Sequence, residues 1–156
     1  MTQPLTQKTV RAWLLDWAPQ MLALAACEVI EIVHEPEIHR VPFGPPWCRA
    51  LLYWRNRLLP LALPDLAADA ATMHVVVVAY ENADRAALDY AALAVDSHPR
   101  QIQVPDGTDC EPPTSCLFDH SVLRACFTHE DRVILVPELK EWFGANQQAL
   151  VSTLPD

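Results

Sequence analysis

Residues 27–65 read CEVIEIVHEPEIHRVPFGPPWCRALLYWRNRLLPLALPD. The run Val29-Ile30-Glu31-Ile32-Val33 is apolar and β-branched, which suits a pleated, half-buried strand. The link Val41-Pro42-Phe43-Gly44-Pro45-Pro46-Trp47 follows it. Proline fixes φ and supplies no N–H, so this link reads as a connection. Two dense apolar runs, residues 50–54 and 58–63, then flank the polar turn Arg55-Asn56-Arg57. Leu59, Leu61 and Leu63 share one face by the period of two along a strand. No catalytic constellation stands out in this stretch.

The same punctuation continues outward. Fourteen prolines and three glycines divide the chain into short apolar runs. Frequent breaks predict many short strands, and hence a mainly β barrel or sandwich. Residues 1–9 are polar and expected to be loose. Residues 11–17 and 21–26 predict a hairpin around Ala18-Pro19-Gln20. Residues 34–49 are read as a connection with one helical turn at Pro46-Trp47. Residues 64–71 predict a short helix with proline in its first turn. Residues 74–80 contain Val75-Val76-Val77-Val78, a strand buried on both faces by composition. Further strands are expected over 90–95 and 101–104, then a polar loop over 105–120. Residues 122–129 and 133–136 predict a late hairpin turning at Glu130-Asp131-Arg132. Residues 137–143 predict a helix opened by Pro137 and closed by Gly144, with Leu139, Trp142 and Phe143 on one face. The tail, 145–154, is read as a second short helix.

Composition narrows the function classes. The chain has 156 residues, 51% of them hydrophobic, enough for one domain with a real core. Eleven Lys and Arg stand against 20 Asp and Glu, a net charge of -9 with no basic cluster. Nucleic acids and anionic membranes select the opposite balance, so neither is an expected partner. No apolar run approaches the roughly 18 residues that cross a membrane. The N-terminus Met1-Thr2-Gln3-Pro4 lacks a basic-then-apolar signal, which points to the cytosol.

Five cysteines, Cys27, Cys48, Cys110, Cys116 and Cys126, include no C-x2-C pair. In a reducing compartment no disulfide is expected, and zinc has poor support. His34 and His39 are separated by Glu35, Pro36 and Glu37, and an extended segment does not converge them on one metal ion. Cys126 with His120 or His129 is a conceivable nucleophile and base. However, Cys126 lies inside an apolar run, where a buried thiol is inert. The three glycines, Gly44, Gly107 and Gly144, form no phosphate loop. No cofactor and no enzymatic activity are expected. Of the five tryptophans, Trp13, Trp17 and Trp142 are read as core, while Trp54 suits either core or a partner contact.

The order of these pieces resembles the CheW-like family of chemotaxis coupling proteins. The hallmark of that family is a strand ending Asn-Leu-Arg-Gly, then a strand ending Pro-x-x-Asp-Leu. Here the corresponding residues are Tyr53-Trp54-Arg55-Asn56, then Pro60-Leu61-Ala62-Leu63-Pro64. Upstream, Glu28-Val29-Ile30-Glu31-Ile32 and Pro45-Pro46-Trp47 are similar to the family's approach to this hairpin. Downstream, Glu130-Asp131-Arg132-Val133-Ile134-Leu135-Val136 is similar to its last hairpin. Leu139-Lys140-Glu141-Trp142-Phe143 stands where its terminal helix would be. The departures are Ala50 for a glycine, Tyr53 for the asparagine, Trp54 for the leucine, Asn56 for the turn glycine and Leu63 for the aspartate. Asn56 tolerates a left-handed backbone better than most residues.

The resemblance implies two small SH3-like five-stranded β-barrels around a shared apolar interior, with short helices including a C-terminal one. It places a flexible N-terminus at 1–9, the paired-barrel domain at 10–144 and a tail at 145–156. The implied function is a non-enzymatic cytoplasmic adaptor joining a chemoreceptor (a methyl-accepting chemotaxis protein) to a CheA-type histidine kinase, in chemotaxis or type IV pilus-dependent motility. The alternative is a divergent interaction module that binds another regulator without kinase coupling. The implied partner-binding residues are Arg55, Val29, Glu31 and Trp54. For Arg55 the alternatives are an internal ion pair or a solvated turn residue. Val29 and Glu31 are expected on one strand face, with Ile30 and Ile32 on the other.

Overall fold

The computed structural model describes residues 9–17, 20–43, 48–63, 74–82, 87–105, 108–114 and 120–144. Among them run the strands β1 (Thr9–Trp17), β2 (Gln20–Ala25), β3 (Val29–Val33), β4 (Glu37–Arg40), β5 (Ala50–Trp54) and β6 (Arg57–Ala62). They are followed by β7 (His74–Asn82), β8 (Ala87–Val95), β9 (Arg100–Pro105), β10 (Leu123–His129) and β11 (Arg132–Pro137). Two curled sheets result, ordered β10-β11-β2-β1-β9 and β3-β7-β8-β6-β5-β4. Pairing is antiparallel except where β11 meets β2 and β6 meets β8.

The period-two alternation of four strands sorts the apolar residues into three interiors. On β7, Val75 and Val77 point into the curl of the six-stranded sheet, while Val76, Val78 and Tyr80 point between the sheets. On β8, Ala92 and Ala94 face that same curl, and Ala91, Leu93 and Val95 face the shared interior. In the other sheet, Ala12, Leu14, Met21 and Ala23 fill the second curl with Phe127 and Ile134. Leu15, Trp17, Leu22 and Leu24 turn to the shared interior, where Leu139, Trp142 and Phe143 cap it. Trp17 and Trp142 meet edge to face at 5.4 Å. The small side chains inside the curls let each sheet bend tightly around a filled interior.

The strands lie close to the expected ranges, and β3 and β5 match them. Three readings change. Residues 37–40 form β4, a sixth strand of its sheet, rather than part of a connection. It is an edge strand whose only half-buried side chain is Ile38, so it shows no apolar alternation. Pro137 ends β11 instead of opening a helix, and the helical segment shortens to a π-helical turn, Lys140–Gly144, wider than an α-helix. The backbone bond from Trp142 N to Glu138 O, 3.0 Å, ties that turn down. Arg57 and Arg132 are the first residues of strands, which leaves two-residue turns between their hairpins. The helices expected at 46–47, 64–71 and 145–154 lie outside the described residues, as do residues 1–8.

The two hairpin turns that precede Arg57 and Arg132 carry non-glycine residues at positive φ. Arg55 and Asn56 stand at φ 46° and 61°, and Glu130 and Asp131 at 49° and 61°. Two consecutive left-handed residues make the mirror-image turn that matches strand twist, for which Asn-Gly is the favoured pair. A left-handed backbone costs an ordinary residue about 1–2 kcal/mol. The double substitution Glu130→Asn and Asp131→Gly is therefore expected to stabilise the fold by about 1 kcal/mol. It should raise the urea midpoint with an unchanged denaturant slope. An unmoved midpoint would show that the native turn bears no such cost.

Candidate functional site

β3 lies at one edge of the six-stranded sheet, and β5 lies next to the other edge. The curl brings them together. Val33 of β3 and Ile38 of β4 pack against the same apolar cluster as Trp54. The Trp54 indole Nε1 donates a hydrogen bond to the Glu31 Oε2. The same carboxylate oxygen lies 3.9 Å from Arg55 Nη2. Arg55 Cζ in turn sits 4.5 Å from the centroid of the Trp54 ring. Glu31, Trp54 and Arg55 thus form one junction across the seam of the curled sheet. Tyr90 packs on Trp54 with centroids 5.5 Å apart, and Arg57 lies over Tyr90 at 5.4 Å.

Val29 is not part of this junction. A bulge in β3 sets Val29 opposite Val78 and Glu31 opposite Val77. Those two valines face different interiors, so Val29 packs on the shared core and Glu31 turns to the seam. The expectation that Val29 and Glu31 share a face is corrected by that one extra residue. Ile30 is pushed outward and is 39% exposed.

The hairpin tip is locally braced. The Tyr53 hydroxyl donates to Asn56 Oδ1 at 2.9 Å, across the two-residue turn. Tyr53 pairs with Leu58 across the strands, and both are exposed apolar side chains. Trp54, in contrast, is only 8% exposed and belongs to the core of the curl. The side chain of Arg55 stays 65% exposed.

A groove of about 830 Å³ runs where the two sheets join. Ile30 and Leu88 give it apolar walls, and Glu28, Arg124 and Glu138 give it charge. At its base the chain crosses between sheets through a tight turn. Glu28 N donates to Ala25 O, and Ala25 N donates to Glu28 Oε1, each at 3.0 Å. Burial pushes the Glu28 carboxyl up from its ordinary range, and Glu138 adds to this; the Ala25 N–H and Arg124 pull it back. Tyr80, also in the groove wall, is 5% exposed, and its buried hydroxyl has no hydrogen-bond partner among the described residues. Burial, and next the charge of Asp89, push that phenol well above its ordinary range. None of these groove residues stands out in the sequence as a candidate. Ile30 and Leu88 carry no sequence signal, because only the bulge and the sheet junction expose them.

The cysteine–histidine idea finds no support on β10. Cys126 faces the shared interior and Phe127 the other side, so alternation puts His129 opposite Cys126. Among the described residues, no three His, Cys, Asp or Glu side chains gather as a metal site.

Three variants test the junction and the groove by their stability. A hydrogen bond to a charged group contributes about 1.5–3 kcal/mol, whereas an exposed ion pair contributes about 0–1 kcal/mol. Glu31→Ala is therefore expected to cost about 2 kcal/mol in urea unfolding, and Arg55→Ala well under about 1 kcal/mol. Equal losses would assign the tie to the ion pair instead. Tyr80→Phe removes an orphaned hydroxyl and is expected to raise stability by about 1 kcal/mol in the same assay; a loss would mean that the hydroxyl is paired through water.

The profile of the CheW-like domain matches residues 12–147. Among solved structures, the scaffolding protein TtCheW from Thermoanaerobacter tengcongensis is similar, with a TM-score of 0.67 over 87% of this chain and 93% of that one. The two are 17% identical, so this likeness speaks to the fold. No curated protein sequence matches at a significant level. The profile match takes in nearly the whole of both sheets, the seam and the groove between them: the chain belongs to the CheW-like domain family.

Proposed function

We propose that the chain is a non-enzymatic cytoplasmic adaptor that couples a chemoreceptor to a CheA-type histidine kinase. The observation that carries this reading is Arg55 itself. A two-residue turn holds it at positive φ, Trp54 supports its guanidinium from below, and most of its side chain remains exposed. A strained, braced and accessible arginine is suited to present a planar fork of donors to a partner's carboxylates or carbonyls. The exposed apolar pair Tyr53 and Leu58 beside it, and the groove at Ile30 and Leu88, supply desolvation area. In this reading one surface grips the receptor and another meets the kinase. Receptor conformations that bind the adaptor differently then bias the kinase through shared contacts. The output is chemotaxis or type IV pilus-dependent movement.

A second reading rests on the hairpin's departures from the family hallmark. Trp54 and Leu63 stand where a leucine and an aspartate are usual, and Trp54 is committed to the seam. The chain would then bind a regulator without coupling it to a kinase. Reconstitution with the receptor and kinase encoded in the same genome separates the two. Under the first reading the chain raises receptor-dependent kinase autophosphorylation; under the second it is retained by a partner and leaves that rate unchanged.

Arg55→Glu is expected to weaken receptor retention roughly tenfold, about 1.4 kcal/mol of binding. Its melting curve should stay close to that of the parent chain. Unchanged retention with an unchanged melt would remove Arg55 from the contact surface.

A further inference from the structure

We propose that Cys110 and Cys126 form a reversible dithiol–disulfide site that fastens residues 108–110 to the free edge of the five-stranded sheet. β10 is the last strand of that sheet. Beyond it, Asp109 bridges Phe127 in antiparallel register. Two backbone bonds, Cys110 N to Cys126 O and Thr128 N to Thr108 O, hold the segment, each at 3.0 Å. This register places Cys110 directly opposite Cys126. Directly opposed residues in a hydrogen-bonded antiparallel pair have Cα atoms about 5.5 Å apart. That separation falls within the range of about 4.4–6.8 Å that a disulfide spans.

The side chains agree with the backbone. Both residues are thiols here, and their sulfurs lie 2.7 Å apart, inside ordinary non-bonded contact. Cys126 is buried at 4% exposure against the shared core. Cys110 is partly exposed, so it offers the point of entry. A small disulfide such as oxidised glutathione is the oxidant class that fits. The Cys110 thiolate attacks one sulfur of that reagent, whose S–S bond breaks and releases one glutathione thiolate. The Cys126 thiolate then attacks Cys110 Sγ of the mixed disulfide and expels the second glutathione. The two protein thiols give up two protons and two electrons, and the reagent leaves as two reduced thiols. The new bond closes the 16-residue separation between Cys110 and Cys126. Closing such a loop restrains the unfolded chain, and it seals a strand edge that a short run of hydrogen bonds otherwise holds.

The test uses the full chain, native and folded, exposed to oxidised glutathione. The expected result is an intact mass lower by two hydrogen atoms, with a Cys110–Cys126 cross-linked peptide in a non-reducing digest. The thermal midpoint should rise by several degrees and return with dithiothreitol. Cys116→Ser and Cys27→Ser should keep the mass change and Cys110→Ser should lose it. Five alkylatable thiols after oxidation, or a cross-link through Cys116, Cys27 or Cys48, would overturn the proposal. Because the digest is read on the parent chain, the cross-link is decided there even if a variant fails to fold.

Discussion

The constraint on which the architecture rests is that its central strands are buried on both faces. β7 supplies Val75 and Val77 to one interior and Val76 and Val78 to another, all at 0% exposure. β8 does the same with alternating alanines and larger residues. A register slip of one residue in β8 would exchange the contents of two interiors at once, whereas the four valines of β7 are interchangeable and take their register from it. Small side chains would then enter the shared core and large ones the tight curl, so both would be mispacked. Register is thus fixed twice over, and the sheets cannot be treated as independent units. The crossings reinforce this: Ala79 N donates to Glu28 O at 2.9 Å, and Asp96 N donates to Asp16 O at 3.0 Å.

The candidate site follows from that curl. Glu31 and Trp54 are 23 residues apart and sit near opposite edges of one sheet. They meet only because the sheet bends until its edges approach. The bulge in β3 then decides which side chain reaches the seam. Without it, Val29 would share a face with Glu31 and compete for the same space. One extra residue therefore sends an acid to the seam and an apolar side chain to the shared interior.

Much of the fold is legible in the sequence because burial follows periodicity. The four-valine run, the late hairpin and the hairpin around Arg55 and Asn56 all show as apolar runs bounded by turn residues. β4 escapes because Glu37, His39 and Arg40 at a sheet edge give no pattern, and because a proline link hides its neighbourhood. Pro137 misleads because proline suits a first helical turn equally well as a strand end. At the site, Glu31, Trp54 and Arg55 come from the family resemblance, and the curl of the sheet brings them together. The bulge is not legible, since Val-Ile-Glu-Ile-Val holds no glycine or other residue that marks one; it arises from pairing with β7. The groove is not legible either, because a junction between sheets has no signature in either strand alone. The sulfur pair is obscured by a polar loop that gives no register.

Trp54 changes what Arg55 is asked to do. Here the indole N–H already satisfies Glu31 with a bond to a charged acceptor, the stronger kind. The Arg55–Glu31 pair is long, at 3.9 Å, and both side chains are well over a third exposed. Such a pair is screened by water and contributes little to the fold. The stacking of the guanidinium on Trp54 adds only about 0.5–1 kcal/mol at an exposed position. Against this, the left-handed backbone at Arg55 costs about 1–2 kcal/mol. The arginine is therefore close to neutral or unfavourable for stability, while the tryptophan and glutamate beneath it hold the turn in place. A residue that the fold does not need, on a turn that the fold makes rigid, is positioned to spend its hydrogen bonds on something other than this chain.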